Sequence, residues 1–98
     1  MEYSQSSFLR SGDVSWKILD DKCILLNLAS GNYYTLNKVG RFLWESLDGK
    51  KKLGEICEEI SDHYCMDAET VRKDIFEIMD DLLEEGLAEE NETLEESS

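Results

Sequence analysis

Residues 23–37 read CILLNLASGNYYTLN, and this stretch decides the fold. Cys23 to Leu28 and Tyr33 to Leu36 are short runs of apolar and aromatic residues of strand type. Between them, Ala29-Ser30-Gly31-Asn32 supplies the small and polar residues that tight turns use, so the two strands should pair antiparallel. Asn37 then stands where the periodicity changes, as a helix N-cap.

Working outward, Val14 to Leu19 forms another strand-type segment, separated from Cys23 by Asp20-Asp21-Lys22, which makes the arrangement a three-stranded meander. A spacing of two recurs through Trp16, Ile18, Ile24, Leu26 and Leu28, as expected for a sheet that buries one face. After Asn37 the spacing is helical. Val39, Phe42, Leu43 and Leu47 form one stripe, closed by Gly49; Leu53, Ile56, Cys57, Ile60 and Tyr64 form a second. The third helix runs from an Asp67 cap through Val71, Ile75, Ile78, Met79 and Leu82 to a stop at Gly86, with Lys50, Lys51 and Lys52 in the turn between the first two helices. The expected fold is therefore α+β and winged-helix-like, a three-stranded antiparallel β-sheet followed by three α-helices.

A chain of 98 residues supports one core. With 41% hydrophobic and 34% charged residues it lies in the globular range, but the charge is uneven. From Glu84 to Ser98 there are seven Glu and no Lys or Arg. The sequence thus divides into a flexible N-terminal segment at 1–12, a folded domain at 13–88 and a disordered acidic tail at 89–98.

The net charge of −13 disfavours nucleic acid, whose binders cluster Lys and Arg against phosphate. Glu69, Asp74, Glu77, Asp80, Asp81, Glu84 and Glu85 on the third helix face only Arg72 and Lys73, which weakens the alternative of a winged-helix DNA-binding regulator. No run of apolar residues reaches membrane-spanning length, and the N-terminus lacks a signal-peptide core. With three cysteines and no C-x-x-C pair, a cytoplasmic location with reduced thiols is expected.

Chemistry is sparse. His63 is the only histidine, and Cys57, His63 and Cys65 lack the paired spacing of a zinc site, so Cys23 and Cys57 read as core residues and no metal or cofactor is expected. Gly31, Gly40, Gly49, Gly54 and Gly86 stand apart, so no phosphate loop is expected, nor an enzyme. What remains is surface. The adjacent Tyr33 and Tyr34 must face opposite sides of a strand, and Phe76 and Leu83 fall beside the third helix's core stripe.

Those residues carry a resemblance. The run from Cys23 to Asn37, then Val39-Gly40, Phe42-Leu43-Trp44-Glu45, Leu47-Asp48-Gly49, Leu53, Glu55-Ile56, Tyr64, Val71, Asp74-Ile75, Leu82-Leu83 and Gly86-Leu87, resembles the PqqD-like family in unbroken order. The resemblance implies a peptide-recognition element that binds the leader segment of a ribosomally made precursor peptide as an added β-strand, then presents it to a modifying enzyme such as a radical SAM enzyme or a leader peptidase. By position it implies a binding strand of Asn32, Tyr33, Tyr34, Thr35 and Leu36, and a helix face of Lys73, Phe76, Glu77, Asp80 and Leu83. The absence of proline before the third strand favours the broader group, including lasso-peptide systems, over the quinone pathway itself.

Overall fold

The computed structural model describes residues 5–91. The expected meander is present: β2 (Val14–Leu19), β3 (Lys22–Asn27) and β4 (Tyr33–Leu36) form an antiparallel sheet in the order β2-β3-β4. The three helices are α1 (Lys38–Glu45), α2 (Leu53–Tyr64) and α3 (Ala68–Glu84). Their starts follow the sequence signals. Asn37 accepts the Gly40 amide proton on its side chain at 2.9 Å, and Asp67 accepts that of Thr70 at 3.1 Å, each relieving an otherwise orphaned helix N–H.

The expected order of three strands and then three helices is incomplete, because a second sheet joins β1 (Ser7–Arg10), β5 (Asp48–Lys52) and β6 (Ala88–Glu90) in the order β5-β1-β6. Where a flexible N-terminal segment was expected, β1 anchors itself by burying Phe8 in the core. Glu89 and Glu90, assigned to the acidic tail, pair with Leu9 and Phe8. Asn91 donates its backbone amide to the Ser7 carbonyl at 2.8 Å, and 92–98 lie outside the described residues.

The lysine turn is likewise a strand. Residues 50–52 belong to β5, an edge strand pairing with β1, where successive side chains alternate between half-buried and exposed. Charged side chains suit an edge because they discourage pairing with another chain, and Lys51 also reaches Glu59 at 3.0 Å. Gly49 fits this sheet for a specific reason. Its φ is +78°, in the left-handed region that favours glycine, and an added Cβ would stand 2.6 Å from Leu9 Cδ2, so the Leu9 side chain would also have to move.

The sheet β2-β3-β4 buries the face opposite to that expected for β3. Cys23, Leu25 and Asn27 point into the core, whereas Ile24 and Leu26 face outward. Trp16 and Ile18 pair with Leu25 and Cys23, so they share the inner side and do not align with Ile24 and Leu26. Asn27 tolerates burial because its side chain is fully engaged. It accepts the amide protons of Ala29 and Ser30 and donates to the Glu85 carbonyl at 2.8 Å, tying the β3–β4 turn to the end of α3.

Candidate functional site: an open strand edge beside the third helix

β4 is the last strand of its sheet, and among the described residues its outer edge pairs with nothing. Its register tells which groups point outward. The Asn27 amide donates to the Asn32 carbonyl at 2.9 Å, and the register then pairs Leu26 with Tyr33, Leu25 with Tyr34 and Ile24 with Thr35. Because hydrogen-bonded and non-bonded pairs alternate in antiparallel sheets, the main-chain N–H and C=O of Tyr33 and Thr35 point away from β3, towards the open edge. Those two residues therefore offer a ready ladder to an incoming strand.

The side chains of β4 split as the pleat requires. Tyr33 is 72% exposed on the outer sheet face, whereas Tyr34 faces α3 and its hydroxyl donates to Asp81 at 2.8 Å. Leu36 is buried and belongs to the core rather than to a binding surface. Just past the end of β4, between the start of α1, Met66 and α3, lies a shallow groove of about 320 Å³ lined by Asn37, Val39, Met66, Asp74, Glu77 and Ile78. Val39, Met66 and Ile78 give it an apolar floor, and Asp74 and Glu77 an acidic wall.

Of the helix residues expected at this site, only Glu77 lines the groove. Phe76 and Leu83 are half-buried and pack against the core. At 100° per residue, they lie about 160° and 140° around the helix from Ile78. That flank adjoins Arg72, which with Gln5, Lys52, Glu55 and Glu58 lines a separate pocket. Lys73 and Asp80 are exposed and lie about 140° and 160° from Ile78, also away from the groove. The core stripe is Val71, Ile75, Met79 and Leu82, so Met79 takes the buried place and Ile78 the groove.

Asp81 changes the chemistry of its strand partner. Burial, the hydrogen bond to Asp81, and the negative charges of Asp81 and Glu85 push the Tyr34 phenol up to about 12. The neutral phenol is thus favoured by the fold, and its contribution to stability is complete below pH ~10 and lost as pH rises through ~12. In an ultraviolet titration of phenolate absorbance, one late-ionising tyrosine is expected that disappears in Tyr34→Phe. A wild-type curve in which every tyrosine ionises near pH ~10 would contradict the Tyr34–Asp81 bond.

Other features lack such a strand edge. A pocket of about 360 Å³ beside α1 is lined by Asp21, Lys38, Arg41, Phe42, Glu45, His63 and Tyr64, a mixture of opposite charges with the His63 ring tilted against Phe42 and edge-on to Tyr64. Cys23 and Cys57 are buried, and burial pushes the Cys57 thiol up to about 11, which keeps it protonated and unreactive. Among the described residues no group of three or more His, Cys, Asp or Glu is placed to hold a metal ion, and no helix is long and apolar enough to cross a membrane. On α3 the exposed side chains are predominantly carboxylates, which repel a phosphate backbone.

An open strand edge, flanked by a helix across an apolar-floored groove, defines a small α+β domain equipped to take an extended chain into its sheet. The chain belongs to the PqqD family, whose model, described as coenzyme PQQ synthesis protein D, matches residues 22–88. Among solved structures it is similar to "TbiB1 in Complex with the TbiA(beta) Leader Peptide", with a TM-score of 0.73 and 32% sequence identity, covering 83% of this chain and 94% of that one. A search of curated proteins gives no match.

Proposed function

We propose that this chain is a non-catalytic recognition element. It binds the leader segment of a ribosomally synthesised precursor peptide by strand addition to β4 and delivers it to a modifying enzyme. The observation that carries this reading is the unpaired edge of β4, whose Tyr33 and Thr35 main-chain groups face outward beside the α3 groove. Family membership and the likeness to a structure bearing a leader peptide support it. Main-chain hydrogen bonds would supply affinity without regard to sequence, and side chains entering the groove would supply selectivity. The enzyme served, whether a radical SAM enzyme or a leader peptidase, would act on the core region while the leader stays clamped.

The proposed site combines Asn32, just before β4, and Tyr33 to Thr35 on the strand with Asn37, Val39, Met66, Asp74, Glu77 and Ile78 around the groove. On this reading Phe76 and Leu83, which do not line the groove, act through the packing of α3. Anisotropy of a labelled leader from the precursor encoded beside this gene should saturate as the purified chain is added. No saturation at high micromolar protein, with or without the neighbouring modifying enzyme, would overturn the reading.

A further inference from the structure

We infer that the segment this groove selects is cationic on its groove-facing side, with an apolar anchor and Lys or Arg at neighbouring same-face positions. The inference rests on the proposed strand addition at β4, and deepens it by naming the chemistry of the ligand.

Asp74 and Glu77 line the groove itself, Asp81 further along α3 accepts the hydrogen bond of Tyr34 on β4, and Glu85 lies close enough to raise the Tyr34 phenol. The spacing of Asp74, Ile78, Asp81 and Glu85 places them in one row along α3. From Asp74 to Asp81 the row advances roughly 10 Å at 1.5 Å per residue. An added strand covers that distance in about three residues. Its side chains alternate, so two or three consecutive groove-facing positions would pass an apolar floor with carboxylates on one side.

Among the described residues no Lys or Arg lines the groove to offset that wall. Lys38, next to Asn37 in the chain, sends its ammonium 5.3 Å from the Tyr64 ring centroid, into the separate pocket beside α1. Arg41 pairs with Glu45 there. A glutamate brought into the groove would lose water beside like charges, whereas a lysine would lay its apolar stem on Val39, Met66 and Ile78 and its ammonium near the wall. The chain's net charge of −13 adds long-range attraction for a basic segment.

The test is selection of randomised short peptides displayed against the wild-type chain, with Thr35→Pro as the counter-target to mark capture at the β4 edge. A recovered binder is then compared with its Lys→Glu and Lys→Gln analogues by anisotropy at low and high salt. Edge-dependent binders rich in Lys or Arg are expected, with the Glu analogue weaker by about tenfold at low salt. That gap should narrow with added salt and in the doubly substituted Asp74→Asn, Glu77→Gln chain. Edge-dependent binders that are neutral or acidic, or a preference untouched by those substitutions, would overturn the cationic ligand while leaving strand addition standing. Failure to recover any binder that depends on the β4 edge would overturn both.

Discussion

Thr35→Pro should weaken leader binding by at least about tenfold while leaving the domain folded, and Thr35→Val should bind as the wild type does. The argument is one of backbone direction. Thr35 lies opposite Ile24 as a non-hydrogen-bonded pair, so its N–H contributes nothing to the β3–β4 ladder and points to the open edge. Proline deletes that donor and sets its ring against the incoming strand, yet edge strands accept proline where the lost N–H faced solvent. An acceptor on the leader left without its partner costs about 1–3 kcal/mol, which is roughly fivefold to 150-fold in affinity, and the obstruction by the ring adds to it. Valine keeps the N–H and the β-branched shape. Unchanged leader affinity in a folded Thr35→Pro chain, shown by an unaltered far-ultraviolet circular dichroism spectrum, would mean that the peptide binds elsewhere. The exposed apolar outer face around Leu19, Ile24, Leu26 and Tyr33 would then be the surface to examine.

The parts of this fold legible in the sequence are those with local signals of a single meaning. Asn37 and Asp67 each precede a helical stripe and do cap helices, and Tyr33 to Leu36 forms the expected strand. The second sheet was not legible, because its members look like other things. Ser7–Arg10 is a short apolar pair in a polar stretch, 50–52 is a charge run, and 88–90 opens an acidic tail. Only long-range pairing, with β1 between β5 and β6, turns them into strands. β3 shows a different limit: Cys23, Ile24, Leu25 and Leu26 are all apolar, so alternation cannot say which face is buried. The buried polar Asn27, bonded to Glu85 at the far end of the domain, settles the parity in the structure. On α3, Ile78 and Met79 adjoin on the helix surface, so their spacing alone did not separate groove from core. That ambiguity is why spacing puts the surplus apolar face at Phe76 and Leu83, whereas Ile78, half-buried as they are, is the apolar residue of α3 that lines the groove.

Trp44→Ala should cost about 3–5 kcal/mol, enough against the usual 5–15 kcal/mol of a small domain to leave much of the chain unfolded near its working temperature. Trp44 sits on α1 with no solvent exposure, and its ring meets that of Trp16 on β2 edge-on at 6.2 Å. Its carbonyl accepts the Arg10 guanidinium at 3.2 Å, and that guanidinium lies 5.8 Å from the centroid of the Trp16 ring. The indole thus packs α1 against β2, and alanine removes that packing while keeping the carbonyl that Arg10 of β1 reaches. Trp44 Nε1 also has no hydrogen-bond partner among the described residues, and a buried orphan donor carries a penalty of about 1–3 kcal/mol. Trp44→Phe keeps much of the apolar contact and removes that donor, so it should cost far less than the alanine change. Urea unfolding followed by circular dichroism separates the two. Equal losses in both variants would mean the indole N–H is satisfied, and a loss below about 1 kcal/mol for alanine would contradict the burial of Trp44 in the core.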